Sequence, residues 1–167
     1  MKHLLDANTL IEAKNRYYGM GFCPAFWQWL LLQNQSLELA SITPVKDELA
    51  KGNDDLARWT SDNPEFFQAV SDEATQEAYI QIVTHVAEQA PQMKKGAMEE
   101  FLAGADPWLI AKAMATGARV VTHEVLNFEA KRKFIIPNIC SHFRVPFLNT
   151  FELLHVLDAK FVLPAAL

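Results

Sequence analysis

The sequence predicts an α/β fold: a short central parallel sheet flanked by helices in three layers, within a single domain spanning residues 1–167. Three observations lead there. Short apolar runs at residues 3–5, 37–43, 119–122 and 145–148 read as buried strands. Helical patterns separate them, the rhythm of parallel βα units. Acids stand just past these strands or at the helix starts beside them, at the edge where open α/β sheets gather their ligands.

The first strand, residues 3–5, stops at Asp6, and a helix follows with Asn8 or Thr9 as its cap. Leu10, Ile11 and Ala13 form its buried side, while Glu12, Lys14, Asn15 and Arg16 face out. Residues 17–33 are unusually aromatic. Gly19 and Gly21 mark a loop, and Pro24 suits the first turn of a helix carrying Phe26, Trp27, Trp29, Leu30, Leu31 and Leu32. A helix apolar on most sides is either central to the core or an interface. After the strand at 37–43, Thr43-Pro44 reads as a cap and a first-turn proline. Glu48 then falls about one turn inside a helix that ends near Gly52, with Leu49 turned to the core.

Residues 53–89 read as wholly helical: a short piece at 54–60, a break at Asn63-Pro64, and a long piece from Ser71. Ala74, Ala78, Ile82, Val83 and Val86 recur there at helical spacing. Pro91 closes the long piece, and residues 94–102 form one more short helix.

The most informative stretch is 104–124, a helix, a turn and a strand. Asp106 is a good N-cap and Pro107 suits the first turn, with Trp108, Ile110, Ala111, Ala113 and Met114 as the apolar face. Gly117 is placed to end the helix in a left-handed conformation, and Val120-Val121 form the heart of the strand. A helix of about ten residues runs roughly 15 Å one way, and a strand of four or five returns a similar length. Asp106 and Glu124 therefore end at one edge. Two carboxylates brought together repel, and a divalent cation between them keeps both ionised. Further on, Asn149 and Glu152 make a capping-box start for a helix ending near Leu157, and residues 161–167 read as an edge segment.

Composition narrows the function. With 50% hydrophobic residues among 167, a real core is available. No run approaches a membrane span, and Asp6 interrupts any signal-peptide apolar region, so the expectation is a cytoplasmic protein with no membrane partner. Cys23 and Cys140 match no zinc or redox spacing, and the five histidines form no ligand pair on one helix. The net charge of -5 conceals an asymmetry: residues 46–90 hold ten acids against three bases, leaving the remainder at +2. Neutralising Asp6, Asp106 and Glu124 by a metal would make their surface basic. Lys14 with Arg16, and Lys131, Arg132 and Lys133, are then the candidate phosphate contacts.

Taken in order, the early acid in L-L-D-A-N-T, the acid in T-P-V-K-D-E-L, the helix A-D-P-W-L-I-A-K-A and the strand G-A-R-V-V-T-H-E resemble a PIN-domain nuclease over nearly the whole chain. The stretch D-A-N-T-L-I-E-A-K-N-R-Y-Y further resembles an uncharacterised prokaryotic PIN-like group related to the toxin ribonucleases of toxin-antitoxin pairs. The resemblance implies a three-layer PIN-like fold and a carboxylate cluster holding Mg2+ or Mn2+ for hydrolysis of RNA phosphodiester bonds. Asp6, Glu48 and Asp106 take the metal-binding places and Glu124 a fourth; Asn8 and Thr122 match supporting polar positions. Glu124 departs from the commoner pattern, where Asp ends that strand. Its extra methylene suits a water-mediated or second-metal contact.

Hard oxygen donors select Mg2+ or Mn2+, whether one ion or two. A phosphatase with an aspartyl nucleophile is the poorer reading, because Asn8 cannot serve as its second acid. The serious alternative is a catalytically silent PIN-like module that binds RNA or an antitoxin. The resemblance also implies a homodimer held by a cognate antitoxin, with Trp27 or Trp29 as interface anchor unless both belong to the core.

Overall fold

The computed structural model describes residues 1–163. Five parallel strands form one sheet in the order β3-β2-β1-β4-β5. They are β1 (His3–Leu5), β2 (Leu39–Ile42), β3 (Phe67–Gln68), β4 (Arg119–Val121) and β5 (Phe147–Leu148). The helices are α1 (Ala7–Glu12), α2 (Pro24–Gln35), α3 (Thr43–Ala50), α4 (Asp55–Asp62), α5 (Glu73–Gln89), α6 (Ala97–Ala103), α7 (Asp106–Thr116), α8 (Ile136–His142) and α9 (Thr150–Val156). They flank the sheet as the sequence predicts. β1 is central and wholly buried, pairing His3 with Leu39 on one side and with Arg119 on the other. The chain builds outward from β1 through β2 to β3, then crosses to β4 and β5. This reversal opens a crevice at the carboxyl ends of β1 and β4, the position where such sheets bind ligands.

Several local expectations are corrected. Asp6 itself caps α1, and neither Asn8 nor Thr9 does; its extended backbone lets the carboxylate accept the Thr9 amide. The helix runs on into a wider π turn, Ala13–Tyr17. β2 starts only at Leu39, because Leu37 is exposed and left-handed (φ 59°), which no strand residue can be. Thr43 is the first residue of α3 and not its cap, its hydroxyl donating instead to the Gln68 carbonyl at 3.2 Å.

That bond fastens β3, a strand inside the stretch expected to be all helix. Its two residues pair with Ser41 and Ile42 after a 3-10 turn at Pro64–Phe66. Phe66 and Phe67 are buried beside Trp59, and their packing replaces helical continuity. In α5 Thr75, Ala78, Ile82 and Val86 are buried, whereas Ala74 is exposed. In α7 Leu109 joins Ile110, Ala111 and Ala113 in the core, and Trp108 stacks on Tyr79 at 3.8 Å instead. Gly117 closes α7 with φ 71°, as expected of a left-handed end.

Trp27 belongs to the core. It is 4% exposed, donates its indole N–H to the Tyr18 carbonyl at 2.7 Å, and meets Phe26 and Trp59 edge to face. Trp29 is half-buried between Phe26 and Phe161. Residues 161–163 form no strand, and Phe161 packs on this aromatic group; the rest of the expected edge segment, 164–167, lies outside the described residues. Among the described residues no helix is long and apolar enough to cross a membrane.

Candidate functional site

Asp6 follows β1 directly and is 1% exposed. Two donors hold it: the Thr9 amide on Oδ1, and the Thr122 hydroxyl on Oδ2 at 2.7 Å. Thr122 follows β4, so this bond ties the ends of the two central strands. The Asp6 amide and the Thr9 hydroxyl, both donating to the Val121 carbonyl, tie them again. Burial raises the Asp6 carboxyl above its ordinary value against the pull of these donors, and the Glu124 charge adds to the rise.

Asp106 does not cap α7. It is the first helical residue, the cap being Ala105, which has no side-chain acceptor. Glu48 fills that role from across the crevice, its Oε1 accepting the Ala105 amide at 2.8 Å. The Asp106 carboxylate takes no hydrogen bond from the described residues, yet it is largely removed from water. Burial first, then the charges of Asp6, Glu124 and Glu48, push its carboxyl up to about 7, with Lys133 opposing. Near neutral pH this side chain therefore exchanges a proton.

Glu124 is neither solvated nor free, its side chain being 15% exposed. Oε2 accepts the Ile136 amide at the start of α8 at 2.7 Å, and Oε1 accepts Lys133 Nζ at 2.8 Å. Its own amide donates to the Thr122 hydroxyl at 3.1 Å, so Thr122 links Glu124 to Asp6. Beneath them Cys140 is fully buried, and burial together with the Asp106 and Glu124 charges pushes its thiol up to about 12. It is a neutral core residue.

Glu48 and Asp106 line a cleft of about 470 Å3 together with Asn8, Lys14, Lys133 and Phe134; Asp6 and Glu124 are not among its lining residues. Among the described residues no three acid, histidine or cysteine side chains are arranged to hold an ion as they stand. The donor set nonetheless suits a hard divalent cation. Asp6, Glu124 and Glu48 all act on Asp106, each engaged oxygen keeps a second lone pair, and Asp106 is unengaged.

The candidate phosphate contacts divide. Lys14 pairs with Asp54, Arg16 with Glu12 and Lys133 with Glu124, whereas Lys131 and Arg132 are exposed and make no ion pair among the described residues. Asp54, which also lines the cleft, was not singled out by the sequence. It caps α4 through the Ala57 amide while Lys14 holds its carboxyl below the usual range. Only the Asp-x-x-Ala start of a helix signals it locally, and that motif says nothing of Lys14. The Glu48 bond to Ala105 and the Lys133 bond to Glu124 likewise have no local signal.

Fold and site together define a parallel α/β protein with an acidic crevice at the reversal of its strand order. The chain belongs to the family described as "Domain of unknown function (DUF4411)", whose model matches residues 3–161. No curated protein and no solved structure matches it.

Proposed function

We propose that this protein is a divalent-metal-dependent endoribonuclease hydrolysing RNA phosphodiester bonds, with Asp6, Glu48, Asp106 and Glu124 holding Mg2+ or Mn2+. The observation that carries the reading is the convergence of three acids from separate segments on Asp106, whose carboxyl stands near neutrality while no donor occupies it. A cation there would offset the burial and the acid charges that raise the Asp106 carboxyl. When bound, Mg2+ or Mn2+ supplies Lewis acidity toward a phosphodiester oxygen and acidifies a water. The chain's own residues do the positioning. Thr9 and Thr122 fix Asp6, the Ala105 amide aims Glu48, and the Ile136 amide fixes Glu124. Lys133, on the cleft wall, brings a positive charge to where a phosphate would lie.

A second reading, a catalytically silent PIN-like module binding RNA or an antitoxin, is favoured by one observation. Both Glu124 oxygens are already engaged, one of them by an ammonium. Divalent-ion cleavage of mixed RNAs by the wild type, Asp6→Asn and Asp106→Asn separates the two. The expected outcome is metal-dependent cleavage lost by about a hundredfold or more in each variant with the fold intact. Retained cleavage in both variants would sink the site assignment, and RNA binding without cleavage by the wild type would favour the silent module.

The resemblance to toxin ribonucleases brings a homodimer and a cognate antitoxin into the same proposal. A cytoplasmic setting is supported by two unpaired cysteines. Because Trp27 is core, Trp27→Ala should cost about 3 to 5 kcal/mol of folding stability. A dimer that dissociates into folded monomers in that variant, by light scattering with a parallel melt, would return Trp27 to the interface.

A further inference from the structure

A second concave site lies beside the acidic cleft and shares a wall with it. Lys133 and Phe134 line both, and beyond them a cleft of about 390 Å3 opens between the end of α5, α8 and the loop before α8. Among its lining side chains two kinds stand out. One is flat and aromatic: His85 on α5 and His142 on α8 stack face to face, ring centroids 3.6 Å apart and planes within 17°, and Phe128 stands 65% exposed on the loop. The other is cationic: Lys131, unpaired among the described residues, and Lys133, with Glu88 as the single acid.

The stacked pair has no evident duty in the core. His142 is exposed and His85 only half-buried, so their rings are not there to fill a cavity. Burial first, then the His142 charge, lower the His85 pKa, with Glu88 opposing. Exposed rings interleaved with lysines are what single-stranded nucleic acid requires, since bases stack on rings while lysines follow the phosphates. A duplex offers its bases to neither. An acidic peptide would use the lysines but leave the rings bare.

We propose that this cleft is a nucleotide subsite. A base of a single-stranded RNA stacks among His142, His85 and Phe128, its phosphate meets Lys131, and the strand passes over Lys133 into the acidic cleft. This rests on the nuclease reading for the strand's destination but not for the binding itself, which needs no metal. The subsite gives the strand one direction across the protein, so cleavage requires nucleotides on one side of the scissile phosphate and not equally on the other.

The test measures binding of a fluorescein-labelled oligouridylate to the whole protein in EDTA by anisotropy, with a fully paired RNA duplex as comparison. His142→Ala, Phe128→Ala and Lys131→Ala should each weaken single-strand binding by about fivefold or more. His142→Phe, which keeps a ring, should retain it, and Phe22→Ala, an exposed aromatic outside the cleft, should leave it unchanged. Where an alanine variant melts early, the wild type supplies the answer: imidazole proton resonances of His85 and His142 should shift on titration with the oligonucleotide. Unchanged affinity in folded variants, or unmoved histidine resonances, would overturn the subsite. The two readings fail separately. Cleavage that depends on Asp106 with no effect at His142 removes the subsite alone, whereas single-strand binding through His142 with cleavage indifferent to Asp106 removes the metal site alone.

Discussion

Asp72 and Asp106 stand at the starts of two helices that pack together, and their carboxyls move in opposite directions. Asp72 caps α5. It accepts the Thr75 amide at 3.0 Å and hydroxyl at 2.8 Å, and Lys112 of α7 donates to it at 2.6 Å. Lys112 first and Thr75 next hold its carboxyl well below the usual range, although its side chain is nearly half exposed. Asp106 starts α7 one position too late to cap it, is screened from water, and faces three other acids. A helix start is therefore not in itself an anion's refuge. Asp72 stays ionised because donors reach it, whereas the Asp106 carboxyl is raised because it is buried without a donor and faces three acids that outweigh Lys133.

The pH dependence of stability breaks or sharpens this contrast most strongly. The folded Asp106 carboxyl lies near 7, above an unfolded value of about 3.9, so the native state binds the extra proton. Stability is lost as pH rises from about 4 to 7, and the deficit is complete above 7. Asp106→Asn should then stabilise the metal-free protein by roughly 2 to 4 kcal/mol at pH 8, an advantage nearly gone at pH 4. Denaturant melts of variant and wild type at the two pH values measure it, and an advantage over wild type no larger at pH 8 than at pH 4 would place Asp106 outside the cluster.

A smaller effect is expected from divalent ions. Mg2+ or Mn2+ at a hundred times its dissociation constant should raise wild-type stability by about 2.7 kcal/mol. The gain should shrink below pH 7, where a proton competes at Asp106, and should be largely absent in Asp106→Asn. An ion-independent melting temperature at pH 8 would favour the silent module. Smallest is the opposite case. Asp72→Ala removes a cap and should cost about 1 kcal/mol at neutral pH. Because the Asp72 carboxyl is lowered, that contribution is present above the unfolded value and fades as pH falls below about 4. Equal costs at pH 7 and pH 3 would show that the cap works without its charge.

Much of the site was legible because its signals are local. Asp6 past a short apolar run, the Asp-Pro start of α7 and the Gly117 end are each written within a few residues. Glu124 past β4 follows from helix and strand lengths alone. The roles were not legible. Asp106 was expected to cap α7, and the acid doing that work is Glu48, whose bond to Ala105 joins residues far apart in the chain. The His85–His142 stack is equally silent in sequence, since neither α5 nor α8 hints at the other.

What the sequence determined by itself is what short-range sterics and periodicity dictate: an α/β chain with buried strands, glycine and proline at the helix ends, the Asn149 and Glu152 capping box, and acids at the carboxyl edge. Tertiary structure alone decided the rest. Two-residue β3 has no period to read and exists because Ser41 and Ile42 lie alongside it. Trp27 is core because Tyr18, Phe26 and Trp59 close around it. The protonation of Asp106 depends on how many charges and how little water surround it, and both are set by through-space neighbours that no stretch of the chain contains.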